Sequence, residues 1–106
     1  MRIDCDRHQL ESMFDTHIPA NVEILFCALW SDTYEESIQV IYRIDDQIFE
    51  CRGGHYSCYG FEGQWDGTRV TLNYLKTAKH WDASDVEWAE LIEFLERESA
   101  QKKGAE

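Results

Sequence analysis

The sequence has few basic residues for its length. Ten lysines and arginines stand against 21 aspartates and glutamates in 106 residues, for a net charge of −11. The isoelectric point is near 4.6. A field of this sign repels nucleic acid and anionic lipid, and it attracts basic protein surfaces. We therefore expect a basic protein surface as the partner, with no direct nucleic-acid or membrane binding.

Long apolar runs are also lacking. The longest, Ile24–Trp30, is far too short to cross a bilayer. The first residues, MRIDCDRHQLESMFDTH, carry charges where a signal peptide needs an apolar segment. These features predict a cytoplasmic protein, in which the four cysteines are expected to be thiols: Cys5, Cys27, Cys51 and Cys58.

Proline and glycine are scarce, with one proline and six glycines, whereas 43% of the residues are hydrophobic and 13% are aromatic. That content is enough for one modest core in a chain of this length. We expect a single globular domain over residues 1–100 and a frayed C-terminal tail over 101–106.

Helical patterns stand near both ends of the chain. A helix is predicted over Asp4–His17, with Asp4 or Asp6 as its cap, where apolar residues recur at helical spacing before Pro19. A second helix begins at Ser84, which forms a capping box with Glu87, and Gly104 can end it.

Strand patterns lie between the helices. VEILFCALW is apolar on both faces and predicts a central strand covered on both sides. Asp45 and Asp46 mark a tight turn between a half-buried strand, whose polar face carries Gln39 and Arg43, and its hairpin partner QIFEC. The predicted strands are Val22–Trp30, Ser37–Ile44, 47–51 and Thr68–Leu75. The order implies an α+β fold, an antiparallel sheet of about four strands with an N-terminal and a C-terminal helix packed on it.

The stretch CRGGHYSCYGFEGQWDG holds five of the six glycines, and three interpretations of it compete. A zinc site would use Cys51, His55 and Cys58, with His80 or Cys27 as the fourth ligand, but the usual Cys-x2-Cys spacing is absent. A catalytic site would make Cys58 the nucleophile, with His55 or His80 as its base and Asp66 or Asp82 as the orienting acid.

The favoured interpretation of this stretch is a rigid loop anchored by aromatic side chains, which suits a protein-binding surface. The predicted anchors are Tyr59, Phe61 and Trp65. We accordingly predict no enzyme activity, no cofactor and no metal.

The same region resembles a group of small uncharacterised proteins of phages and bacterial mobile elements. The shared block has the form G-x-H-x-S-C-Y-G-x-E-x-Q-W, following a hairpin of the form Y/F-R-x-D-x-x-x-(Y/F)-E. The matching positions are Tyr42, Arg43, Asp45, Phe49, Glu50, Gly53 or Gly54, His55, Ser57, Cys58, Tyr59, Gly60, Glu62, Gln64 and Trp65. Members often carry a second cysteine where this chain has Tyr56, which argues against a shared metal or redox site. The resemblance implies a phage-type setting, inside a bacterial host cell, and no particular activity.

Acidic residues follow the last predicted helix and the hairpin ends. Glu87, Glu90 and Glu93 recur every three residues, in steps of about 5–6 Å, which is comparable to phosphate spacing along a nucleic-acid strand. Phe94 and Glu98 lie nearby on the helical wheel, and we expect Phe94 to be an exposed anchor. A second set of acids is expected at the hairpin ends: Asp32, Glu35, Glu36, Asp45 and Asp46.

These features together predict an acidic protein-binding module, a monomer or homodimer, that occupies a basic nucleic-acid-binding surface. A counter-defence inhibitor of the anti-CRISPR or anti-restriction type is the favoured form. The alternatives are an immunity protein against a basic nuclease toxin, or a small zinc- or thiol-dependent protein using Cys51, His55 and Cys58.

Overall fold

The computed structural model describes residues 2–56, 60–80 and 82–105, with the backbone alone for 56 and 100–105. Its elements are α1 Arg7–Phe14, β1 Val22–Ser31, β2 Glu35–Ile44, β3 Gln47–Tyr56, β4 Thr68–Val70, α2 Leu72–Leu75 and α3 Asp85–Ala105. The strands pair antiparallel in the order β1-β2-β3-β4. The predicted α+β fold is confirmed.

The first helix is shorter than predicted at both ends. Asp6 caps it, because its side chain accepts a hydrogen bond from the Gln9 amide at 2.8 Å and its own amide donates to the Gln9 side chain at 2.9 Å. The helix ends at Asp15, which takes the left-handed conformation with φ of 49°. Asp4, the predicted first residue, lies before the helix.

Strand β1 is covered on both faces as predicted, but it lies at one end of the strand order instead of at its centre. Residues 2–4 run along its outer edge. The Asp4 amide donates to the Cys27 carbonyl at 2.9 Å, and the Cys27 amide donates to the Arg2 carbonyl at 3.0 Å. The edge is therefore partly covered by the chain's own N-terminal segment.

A register shift between Ile24 and Phe26 changes which side chains of β1 face each side of the sheet. Strict alternation would send Leu25 and Phe26 to opposite faces, but the irregularity turns both toward the same one. Beyond it, alternation resumes, with Cys27 on one face and Ala28 on the other.

Each face of the sheet carries its own core. One core lies under α1 and the segment after β3, and its buried members are Cys5, Leu10, Phe14, Ile18, Val22, Cys27, Ile38, Val40, Tyr42, Cys51 and Phe61. The other lies under α2 and α3, and its buried members are Leu25, Phe26, Ala28, Ile41, Leu75, Ala78, Ala83, Trp88, Leu91 and Leu95. The two helical ends of the chain thus close opposite faces of one sheet.

The β2–β3 hairpin has the predicted two-residue turn. Ile44 pairs with Gln47 across it, and Asp45 takes a positive φ of 54°. The expected exposure of Gln39 was wrong, since this side chain is fully buried between the sheet and the segment before α3.

The predicted fourth strand, Thr68–Leu75, is longer than the strand in the structure. Only Thr68–Val70 pairs with β3, and Thr71 then caps the short helix Leu72–Leu75 by accepting a hydrogen bond from the Tyr74 amide at 3.1 Å. Strand β3 is correspondingly longer than predicted, because it continues through Gly53 and Gly54 to Tyr56.

The last helix begins as predicted. Ser84 accepts from the Glu87 amide at 3.1 Å, and the Ser84 amide donates to the Glu87 carboxylate at 3.1 Å. The helix continues to Ala105, past the stop expected at Gly104. The division of the chain into a domain over 1–100 and a frayed tail stays a prediction.

Candidate protein-binding surface

The outer face of α3 presents carboxylates to solvent. Glu90 and Glu93 are both exposed, and Glu93 accepts a 2.6 Å ion pair from Arg97 with both side chains about two-thirds exposed. An ion pair with this exposure holds the side chains weakly. These two acids of the predicted row are therefore accessible to a partner.

The acids flanking this face are instead drawn toward the sheet. Glu87 pairs with Arg2 at 3.3 Å, and Glu98 pairs with Arg43 at 2.8 Å. Arg43 also pairs with Glu23 at 3.0 Å. Glu87 and Glu98 thus bind α3 to the rest of the molecule as well as adding negative charge to its surface.

Phe94 is not the exposed ring that the helical wheel predicted. It is partly buried against the core beneath α3, and the guanidinium of Arg43 lies 5.8 Å from its ring centroid. The ring supports Arg43 and the helix packing.

An exposed aromatic residue does lie near acidic side chains, but it is in the β1–β2 connection and not at Phe94, where the sequence predicted it. Tyr34 is 71% exposed, between Asp32 and Glu35. The Asp32 side chain accepts from the Tyr34 amide at 2.7 Å and the Glu35 amide at 2.9 Å. Both backbone amides lower the pKa of Asp32, and the amide of Glu35 has the larger effect. The carboxylate thus forms the turn that presents Tyr34.

Beside Tyr34, Glu36 contacts His55 at 2.6 Å across the β2–β3 pair. A cleft of about 240 Å³ opens here, lined by Ser31, Asp32, Thr33, Tyr34, Glu35, Glu36 and His55. The aromatic ring and the carboxylates therefore border one concave surface, which we call the Tyr34 hairpin end.

The second hairpin end is acidic too. A cleft of about 300 Å³ is lined by Asn21, Glu23, Arg43, Asp45, Asp46 and Glu98. Because β2 separates Glu35 from Asp45 by ten residues, the two hairpin ends are about 30 Å apart at the usual rise per strand residue. The predicted hairpin acids thus form two groups.

The segment after β3 is held by aromatic packing. Phe61 is buried and stacks on Phe14 at 5.3 Å, and Trp65 stacks on Tyr42 at 5.2 Å and meets Phe14 edge-on. Tyr59, the third predicted anchor, lies outside the described residues. The packing leaves this segment fixed against the sheet.

The groups of the zinc and catalytic interpretations have other contacts. The Cys51 thiol donates to the Gln64 carbonyl at 3.4 Å, and burial raises its pKa. His55 contacts Glu36, and Cys58 falls outside the part of the chain that the structure describes. Within that part, no three side chains drawn from His, Cys, Asp and Glu are placed to hold a metal ion.

A buried polar network, which the sequence did not reveal, fixes the segment between α2 and α3. Gln39 donates to Glu50 at 2.7 Å and to the Ala78 carbonyl at 2.8 Å, and its own carbonyl accepts from the His80 amide at 2.9 Å. Glu50 also accepts from Tyr74 at 2.8 Å. The sequence carries no clear signal of this network, because Gln39 and Glu50 alternate with apolar neighbours as solvent-facing strand residues do.

Comparisons with family models, curated proteins and solved structures found no match to this chain. Across the described residues, no helix combines the length and apolar character that crossing a membrane requires. The resemblance to phage and mobile-element proteins stays a prediction.

Proposed function

We propose that this chain is an acidic protein-binding module that occupies a basic nucleic-acid-binding surface of another protein. It acts as a binding partner without catalysis of its own. The favoured setting is counter-defence in the cytoplasm of a bacterial host, of the anti-CRISPR or anti-restriction type, and this setting follows from the sequence resemblance alone.

The observation that carries the proposal is the direction in which charged side chains point. Arg2 and Arg43 are only 18% and 15% exposed and are paired with the carboxylates of Asp82 and Glu98. Arg7 is partly buried and donates to the carbonyls of Ile18, Pro19 and Val22. Since these three cations contact groups within the molecule, they are little available to repel a basic partner.

Carboxylates lie on the outer face of α3 and beside it. Glu90 and Glu93 lie on α3. The flanking Glu87 and Glu98 pair with Arg2 and Arg43, which lie toward opposite ends of the sheet. A phosphate-binding groove meets a comparable row of negative charge on its natural ligand. The arrangement therefore suits a groove that normally holds nucleic acid.

Tyr34 provides a candidate anchor for the same partner. Exposed tyrosine beside carboxylates can stack on an arginine side chain while the acids contact its charge. The turn that presents it is already formed by Asp32, so that little ordering cost is expected on binding.

The test has two stages. The partner is first captured from host lysate with immobilised protein, and single- or double-stranded nucleic acid is then added as competitor. We expect the partner to bind nucleic acid by itself and the two ligands to exclude each other. Simultaneous binding of nucleic acid and this chain would contradict the proposal.

Charge-reversal variants then locate the surface. Glu90→Lys with Glu93→Lys should weaken binding by more than about tenfold and reduce its salt dependence. Glu62→Lys with Asp66→Lys is the matched control, because it makes the same charge change at exposed positions on the opposite face of the sheet. Equal effects of the two pairs would contradict a specific interface on α3.

A further inference from the structure

Three sulfur-bearing residues lie close together in the core beneath α1. The Cys5 thiol lies 3.7 Å from the thioether sulfur of Met13, and Cys5 and Cys27 are both buried in this core. Cys5 and Cys27 are brought together by the backbone, because residues 2–4 pair with β1 at Cys27. Three separate elements thus place a sulfur-bearing residue in the same part of the core.

This spacing suits donors around a single ion. Two sulfurs that bind one metal at about 2.3 Å each, in a trigonal arrangement, lie about 4 Å apart. Two thiols and a thioether are a soft donor set, which selects monovalent copper over zinc, calcium or magnesium. Zinc would need a fourth donor.

We propose that Cys5, Cys27 and Met13 form a binding site for a soft monovalent metal ion, Cu(I) or its analogue Ag(I). The site is separate from the residues of the zinc interpretation, Cys51, His55 and Cys58. It is also independent of the acidic binding surface, so either proposal can fail alone.

Binding replaces a thiol proton by the metal. One Cu(I) ion and one protonated cysteine give a copper–thiolate bond and a released proton, with no change in the charge of the buried site. The second cysteine and the thioether complete the coordination through sulfur lone pairs. No oxidation or reduction is involved.

Both thiols are protonated in the metal-free protein at neutral pH. Burial, together with the neighbouring Cys5, raises the pKa of Cys27 to about 12, and burial raises the pKa of Cys5. The charged groups that act on Cys5 are Asp4, Asp6 and Glu36, which raise its pKa further. Because binding releases one proton, affinity should rise with pH.

Access to the site runs along the N-terminal segment. Cys5 is only 3% exposed, and Met13 is partly buried at the surface of α1. Residues 2–4 lie on the edge of β1 beside the site, so a metal ion reaches the sulfurs when this segment opens locally, without global unfolding.

The experiment is an anaerobic titration of the full chain with Cu(I), in competition with a coloured Cu(I) chelator, repeated with Ag(I). We expect one ion per chain, a thiolate-to-copper absorption band in the near ultraviolet, and tighter binding at higher pH. Cys5→Ser and Cys27→Ser should each weaken binding, because each removes one of the three sulfur donors. Met13→Leu, which conserves volume, should weaken binding by about tenfold.

Cys51→Ser is the control, because Cys51 is a buried thiol of the same core without a sulfur neighbour among its described contacts. It should bind as wild type does. If Cys27→Ser fails to fold, Met13→Leu still decides the question. Equal binding by wild type and the Met13 and Cys5 variants, loss of binding in Cys51→Ser, or no saturation at one ion per chain would overturn the proposal.

Discussion

The Asp4 carboxylate accepts a 2.7 Å hydrogen bond from the backbone amide of Leu29, on the outer edge of β1. Arg2 donates to the carbonyl of the same residue, and it pairs with Asp4 and with Asp82 before α3. Two side chains thus satisfy the backbone of an edge strand that would otherwise be open to pairing with another chain.

Removing this cover should destabilise the protein and promote self-association. Arg2→Ala leaves the Leu29 carbonyl and Asp82 without this cation, and we expect it to lower the free energy of unfolding by about 1.5–3 kcal/mol. Chemical denaturation and sedimentation at rising protein concentration measure the two effects. Arg69→Ala, an exposed arginine on β4, is the control and should change neither. A monomeric Arg2→Ala variant of wild-type stability would show that the edge needs no cover.

The buried network around Gln39 gives a second prediction. Gln39→Ala removes one hydrogen bond each from Glu50, the Ala78 carbonyl and the His80 amide. We expect a loss of about 2–4 kcal/mol in unfolding free energy, because buried polar groups lose hydrogen bonds and a cavity forms. Gln47→Ala, at an exposed position, should cost far less. Equal midpoints in urea for the two variants would contradict this role.

His80 predicts a pH dependence of stability. Burial lowers the pKa of this side chain, and Arg52 and Arg2 lower it further against the opposing charges of Asp82 and Asp4. The unfolded chain binds the proton more tightly than the folded protein does. The free energy of unfolding is therefore at its full value above the unfolded pKa of about 6.5, and it falls as the pH drops toward the folded pKa.

The measurement compares unfolding free energies between pH 7.5 and pH 5.5 for the wild type and for His80→Gln. We expect the variant to lose less stability over this range than the wild type does. His17→Gln is the control, since the His17 side chain is 84% exposed, and it should follow the wild type. Parallel curves for all three proteins would assign the acid sensitivity to other groups.

Gly67 gives a steric prediction. A Cβ atom there would lie 1.7 Å from the Tyr42 hydroxyl oxygen, and the Tyr42 ring is held between Phe49 and Trp65. Gly67→Ala should therefore cost about 1–3 kcal/mol through overpacking. At Gly54 the nearest atom would be 3.7 Å away, so Gly54→Ala is the control and should fold nearly as well. Similar thermal midpoints would mean that Tyr42 moves aside freely.

Local signals in the sequence predicted much of this fold. The capping box at Ser84, the Asp45–Asp46 turn and the doubly apolar β1 need only neighbouring residues, and each is present. The end of β4 was missed because Thr71 can cap a helix as well as extend an alternating strand. Propensity alone does not separate these two outcomes.

The placement of charged and aromatic groups was harder to predict, because it depends on contacts between distant residues. Phe94 lies away from the apolar stripe on a helical wheel, yet Arg43 from β2 packs over it. Glu87 and Glu98 were expected to face solvent, but Arg2 and Arg43 reach them across the sheet. Tyr34 did carry a signal, a large ring within the polar connection SDTYEES.

The order in which the chain is synthesised has a consequence for its folding. The three hairpin pairings join strands that follow one another, so the sheet closes only short loops and can form early. The core beneath α3, by contrast, receives Trp88, Leu91 and Leu95 last. A nascent chain therefore holds one apolar face of its sheet open until α3 has been synthesised, and chaperone binding to that face should end when α3 is released.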